Sequence, residues 1–338
     1  MIVFIFSFLY LVTVIQANLL GNFTPEFFDI NIDRNHPEKI YKAFEEFTIK
    51  YKRNYKDLAE RKLRFNNFVK SFNKVDKLNS DAEKAGYDTS FGINKFSDWS
   101  STEFSSALSH VPPPPPSVDD VPRLNITIYG KVNETRFKRK STRYPDSFDL
   151  RDIKKNGRYI VGEVKSQGNC ACCWGFAVTA VMETVNAVST GKFTSLSDQE
   201  ICDCGTEGTP GCSGGNLPMG IKYVRQYGLS SDNEYPFDEN RAKKSRKCRV
   251  KSTTRIIPPE YNGGVIVIDD CYNAAEWHAG AIVGYGTTED RRGRLHNYWI
   301  IKNSWDDDWG ENGYVRIKRN VDWCAIEESP VTADMSSA

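Results

Sequence analysis

The chain of 338 residues has no cysteine before residue 170 and no block of one charge sign. It also has no apolar run of the roughly 20 residues that a membrane-spanning helix needs. Its 45 basic and 44 acidic residues leave a formal charge of +1, which gives no footprint for nucleic acid or an anionic membrane surface. Only four histidines are present, so chemistry that needs an imidazole has few candidates. The longest apolar stretch, Ile2 to Ile15, has no basic residues ahead of it, which leaves an uncleaved anchor as an alternative. Its length and the small residue Ala17 suit the core of a secretory signal peptide, and residues 1–17 are expected to be one.

What is present supports that expectation. Three glycosylation triplets begin at Asn22, Asn125 and Asn133. All nine cysteines lie from residue 170 onward; in an oxidising compartment they imply disulfides, and the odd count leaves at least one thiol over. Apolar residues make up 39% of the chain, enough for a real core.

The chain divides by composition. Residues 36–83 read as helical, with Ile40, Phe44, Phe47 and Tyr51, then Leu63, Phe68, Phe72, Val75 and Leu78, at helix-like spacing among many charges. Residues 109–143 read as a linker, stiffened by Pro112 to Pro116 and carrying the basic run Arg136 to Arg139, a candidate processing site. A second, cysteine-rich region follows from about residue 144. There residues 173–190 read as a helix with an apolar stripe of Phe176, Ala180, Val181, Val185 and Val188, stopped by Gly191. "AGAIVGYG" and "NYWIIKN" read as the two strands of a β-hairpin, and the loop "TTEDRRGRLH" between them reads as solvated charge, His296 included.

The segment "SQGNCACCWGFA" (166–177) places Cys170, Cys172 and Cys173 ahead of that helix. A thiol attacks as thiolate, and a helix N-terminus lowers its pKa to about 3.5–7.5. Cys173 sits where the helix starts, its backbone N–H can face an oxyanion, and Gln167 can add a side-chain donor. Of the histidines, His36 and His110 precede the processing region, which leaves His278 at the start of the hairpin as the base. The midpoint of His278 and Asn303 falls inside "EDRRGR", so an antiparallel hairpin makes them neighbours, with Asn303 able to orient the imidazole and Trp305 to shield that bond.

These residues resemble a known family. "QGNCACCWGFA", "WHAGAIVGYG" and "YWIIKNSWDDDWGENGY" are similar to the cysteine, histidine and asparagine blocks of papain-like cysteine proteases of the cathepsin L branch. "GCSGG" resembles the family's substrate-strand motif. Glu60, Arg64, Phe68, Val75 and Asn79 match the inhibitory propeptide helix, with Ser71 where Asn is usual, and "GINKFSD" (92–98) matches a second propeptide motif. "YPDSFDLRD" resembles the mature start, with Leu150 where Trp is common.

The resemblance implies an α+β, two-lobed peptidase domain over 144–338, one lobe helical and one barrel-like, preceded by a helical inhibitory propeptide within 18–108. It implies Cys173 as nucleophile, His278 and Asn303 as its partners, Gln167 at the oxyanion, and Gly214, Gly215, Leu217, Ala279 and Trp305 beside an extended peptide. It further implies disulfides Cys170–Cys212, Cys204–Cys248 and Cys271–Cys324. Cys172 and Cys202 are left either as a fourth disulfide or as two inert buried thiols. No cofactor or metal is expected: the close cysteine spacing could suggest zinc, but the signal peptide and the cysteines paired in the family argue against it. Expected partners are protein or peptide substrates, the chain's own propeptide and cystatin-type inhibitors, in a monomer of the lysosome or extracellular space.

The chain also departs from the family. His278 lies 105 residues beyond Cys173, and Asn303 lies 130 beyond it. The family spacing is about 130–150. The shortfall is assigned to 248–261, where a helical segment and a buried strand reading like G-P-V-x-V are expected to be missing. On that reading His278 is poorly held and activity is strongly impaired. The alternative function is then a peptide- or inhibitor-binding variant or splice form.

Overall fold

A computed structural model describes residues 37–86, 89–109, 145–205, 211–244, 248, 266–269 and 277–320. The expected signal peptide, the three glycosylation sites, the proline run, the basic processing site and the Cys271–Cys324 pair lie outside the described residues.

The chain divides into two compact units. The first, through Ala82 together with 89–99, is built on helices α1 (Pro37–Lys50) and most of α2 (Leu58–Ala85), within the stretch the sequence marked as helical. The break between them has a local cause: Asp57 accepts from the Glu60 N–H (2.8 Å), an N-cap that starts α2 afresh. Their shared core is aromatic. Phe44, 1% exposed, packs edge-on against Phe65 and Phe68 and stacks on Tyr55. Leu63, expected on the apolar face, is exposed, because the stripe actually buried is Phe65, Phe68 and Val69. Asp98 of the "GINKFSD" motif accepts from Arg53 (3.0 Å) and Tyr55 (3.1 Å).

The second unit takes in the end of α2 from Glu83 and the chain from Ser100 onward, where a short helix, α3 (Ser101–Ser105), is opened by a capping box between Ser100 and Glu103. Its helical part comprises α4 (Cys173–Thr190), α5 (Asp198–Cys204), α6 (Leu217–Tyr227) and α7 (Glu239–Lys244). Trp174, Met182, Ile201, Leu217, Val224 and Leu229 form the core between them. Gly191 ends α4 as expected, in the left-handed conformation (φ 71°) that spares glycine a Cβ clash. Val188 is exposed rather than in the stripe; Met182, Glu183 and Ala187 are buried on that helix instead.

The strands are β1 (Phe148–Asp149), β2 (Lys154–Lys155), β3 (Arg158–Tyr159), β4 (Ile266–Asp269), β5 (Trp277–Glu289), β6 (Leu295–Lys302) and β7 (Tyr314–Lys318). All pairings are antiparallel; the main sheet runs β1-β5-β6-β7, with β4 on the first part of β5, while β2 and β3 pair separately. β5 and β6 form the expected hairpin, turning at 290–294. Ala279 at the start of β5 joins the helical core, which brings that strand against α4.

The segment expected to be shortened, 248–261, lies outside the described residues apart from Cys248. Beyond it, β4 pairs with the start of β5, Ile268 opposite His278. Its run "GGVIVID" is β-branched and opens on two glycines, the composition a strand wants.

Candidate active site

Cys173 is the first residue of α4 and is 1% exposed. Its neighbours are covalently fixed: Cys170 pairs with Cys212 and Cys204 with Cys248, as the resemblance implied. Cys172 pairs with Cys202, so the disulfide alternative holds and the inert thiols are excluded. Cys173 is the free cysteine among the described residues.

His278 and Asn303 come together as the hairpin geometry predicted, with Nε2 2.7 Å from Asn303 Oδ1. That oxygen also accepts from the Ser304 N–H (2.8 Å), which fixes the amide orientation, so His278 Nε2 carries the proton. Nδ1 is buried without a hydrogen-bond partner. Trp305 stacks on the imidazole, centroids 4.4 Å apart, and keeps water from the bond.

Gln167 is fully buried. Its Oε1 accepts from the Ser304 hydroxyl (2.5 Å), and its Nε2 donates to the carbonyls of Cys170 (2.7 Å) and Ala107 (2.8 Å). Ser304 therefore touches both Gln167 and Asn303. Sequence reasoning missed this link, although the residue stands directly after Asn303.

Residues 107–109 lie against Gln167 and Gly215, two of the residues the resemblance implied for the site. The Ser109 hydroxyl donates to the Gly215 carbonyl (2.8 Å) and accepts from the Gly215 N–H (3.1 Å). Phe104 meets Trp305 edge-on at 5.5 Å, and the Ser106 hydroxyl donates to Asn169 (2.7 Å). Gly214 precedes this contact at φ 103°, a conformation that suits glycine. A Cβ at Gly215 would stand 2.4 Å from the Trp174 indole, so the strand lies flat on that ring. Leu217 is 1% exposed within the core around Trp174 and presents no surface to a ligand in this closed form.

Electrostatically the site is at rest. Burial pushes the Cys173 thiol up to about 11, against backbone hydrogen bonds from Ala279, Trp174 and Ser109 that favour the thiolate. The lowered pKa expected from a helix N-terminus is thus overridden by desolvation. Burial likewise takes His278 down to about 4, the Asn303 bond acting weakly the other way. Thiol and imidazole are both neutral near pH 7. Below them Lys165 donates to Glu183 and Asp198 (both 2.8 Å), a buried ionic knot joining α4 and α5.

The papain family cysteine protease profile matches residues 144–258 and 254–334, and the cathepsin propeptide inhibitor profile matches 44–104. This chain belongs to the papain family of cysteine proteases. It is made as a proenzyme with its inhibitor domain attached. It is 30% identical over 315 residues to a cathepsin L-like proteinase of Phaedon cochleariae, covering 84% of this chain and 90% of that protein. Among solved structures, digestive procathepsin L 3 of Tenebrio molitor superposes with a TM-score of 0.67 at 26% identity, covering 88% of this chain and 99% of that one. A recombinant stem bromelain precursor gives the same TM-score and identity over 88% of this chain and all of its own. The family's two-lobed α+β fold and helical propeptide region are present here.

Proposed function

We propose that this proenzyme matures into an endopeptidase of the secretory pathway, acting in the lysosome or extracellular space through Cys173, His278 and Asn303. The observation that carries the reading is the Ala107 carbonyl held by Gln167 Nε2 at 2.8 Å: a peptide carbonyl already sits on the expected oxyanion donor. Three disulfides among the described residues support an oxidising compartment.

In the open enzyme His278 Nδ1, the nitrogen that Asn303 leaves unused, takes the thiol proton. Cys173 Sγ attacks the scissile carbonyl carbon, and the negative oxygen is held by Gln167 Nε2–H and the Cys173 N–H. Nδ1–H then protonates the leaving amine, giving a thioester. A water deprotonated at Nδ1 attacks that thioester and regenerates the thiol. Asn303 keeps the proton on Nε2 and the ring facing the sulfur. No step calls for a cofactor.

Latency follows from how Gly215 is engaged. A substrate backbone offers its own N–H and C=O to that residue, whereas here one side-chain hydroxyl serves both. The covering segment therefore engages Gly215 through a side chain and not through the backbone pairing that would align a substrate strand. Cystatin-type proteins, which fill such clefts, fit the same surface, and the reading is of a monomer.

The test is hydrolysis of a Phe-Arg fluorogenic peptide by the matured chain, alongside labelling with an epoxide thiol trap. Labelling of Cys173 together with hydrolysis supports the proposal. A folded, matured protein that binds peptide inhibitors but neither labels nor hydrolyses overturns it in favour of the binding variant.

A further inference from the structure

The β5–β6 turn carries Arg291, Arg292 and Arg294, and its fold is set by one carboxylate. Asp290 accepts from the backbone N–H groups of Arg292 (2.9 Å) and Arg294 (3.0 Å), from Arg294 Nε (2.7 Å) and from His296 Nε2 (2.8 Å). His296 is thus tied into the turn rather than simply solvated. The turn presents two guanidinium ends outward, and both meet the end of a helix. Arg292 donates to the Lys84 carbonyl, and Arg294 Nη2 donates to the Ala85 carbonyl at 2.7 Å.

Lys84 and Ala85 are the last residues of α2, where carbonyls have no partner within the helix and the dipole is negative. Gly86 follows in the left-handed conformation (φ 78°), its N–H donating to the Glu83 carbonyl (2.9 Å). A Cβ at Gly86 would lie 2.3 Å from Arg292 Nε, so the absent side chain is what lets the guanidinium lie across the helix end. The helix terminus from Glu83 accordingly groups with the peptidase unit and not with the rest of the helix.

We infer that the tip of the β5–β6 hairpin is a receptor for the C-terminal end of a helix, and that its occupant in the proenzyme is the last turn of the propeptide helix. The two arginines replace the helix's missing donors and neutralise its negative end, and Gly86 gives them room. The contact holds the helix terminus, residues 83–86, on the peptidase domain until maturation. The inference deepens the proenzyme reading and rests on it for its consequence; the contact itself is testable without catalysis.

The experiment uses the full-length chain with Cys173→Ala, which cannot process itself, and follows amide hydrogen exchange. Substituting Arg292→Ala with Arg294→Ala is expected to speed exchange at residues 83–86 about tenfold, the scale of losing two charge-assisted hydrogen bonds at a partly wet site, while α4 amides stay protected. Gly86→Ala, which leaves the peptidase domain unaltered, is expected to do the same, and to add much less once Arg292→Ala has emptied the space beside it. In the Cys173-containing proenzyme the double arginine variant converts several-fold faster, and its matured form keeps the parent kcat/KM. Unchanged protection at 83–86 in the double variant overturns the inference. If that variant loses protection throughout α4, Gly86→Ala decides alone, and unchanged exchange there, or an effect just as large with Arg292 removed, overturns it.

Discussion

Opening the covered site should change how Cys173 responds to pH more than any other property of the chain. With its pKa near 11 in the closed form, roughly one thiol in 10⁴ is ionised at pH 7. Once residues 107–109 leave and water enters, the helix N-terminus and the imidazole are expected to bring the pKa to about 7 or below, within the activated range, where half or more is thiolate at pH 7. The rarer thiolate of the closed form is also the stronger nucleophile, by about a hundredfold over four pKa units at a Brønsted slope near 0.45. The net expectation is alkylation about a hundredfold slower before maturation than after, with steric cover slowing it further. The decisive readout is slope. Iodoacetamide labelling of unprocessed chains, mapped to Cys173 by mass spectrometry, should rise about tenfold per pH unit from 5 to 9, whereas matured chains should label at a nearly flat rate above pH 7. A pH-independent plateau in the unprocessed form would show that Cys173 is already an ion-pair thiolate under the cover, and a desolvated, neutral thiol could no longer explain latency.

Three further outcomes are expected. Ser109→Ala strips both bonds from buried Gly215, a loss of about 1–3 kcal/mol, so the proenzyme should convert roughly tenfold faster; an unchanged conversion half-time would contradict the role of that hydroxyl. Replacing Cys172 and Cys202 together by Ser opens a loop of sequence separation 30 and should cost about 3 kcal/mol, read as a lower thermal midpoint in unreduced protein. Asp198 is held by Lys165, but burial dominates and raises its pKa above the ordinary carboxylate value. A raised folded pKa gives stability that is present at low pH and lost as pH climbs through it. The midpoint of the parent relative to Asp198→Asn should therefore improve on going from neutral pH toward 4, and a gap that instead widens against the parent there would reverse the argument.

Much of the site was readable before any coordinates. The order Cys173, Gln167 upstream, His278 and Asn303 came from local chemistry and from the symmetry of a hairpin, because an antiparallel pair ties residue numbers to a constant sum. The ladder next to the site pairs Ala281 with Lys302, which carried inward puts Trp305 opposite His278; the stacked ring and the Asn303 bond both follow from that offset. What the sequence concealed depended on partners distant in the chain. Nothing near Cys172 reveals that Cys202 on α5 lies against it, and nothing near Ala107 reveals Gln167. The lowered thiol pKa expected from the sequence is overturned because the helix terminus is visible there whereas the burial that outweighs it is not.

The Cys172–Cys202 bond has a consequence for how the protein is manufactured. Cys170, Cys172 and Cys173 stand within four positions, and Cys202 and Cys204 are separated by a single residue, so the nascent chain offers oxidants several nearly equivalent partners. Any first bond that captures Cys173 yields a covalently closed but dead protease, and rescue requires that sulfur to be expelled by a neighbouring thiolate. The Cys172–Cys202 pair and Cys170 end sealed at 0% exposure, so proofreading of those sulfurs must finish before the helical core closes over them. Disulfide isomerisation is therefore expected to govern the yield of active protease, and refolding from inclusion bodies should yield mainly inactive isomers unless a redox buffer is supplied.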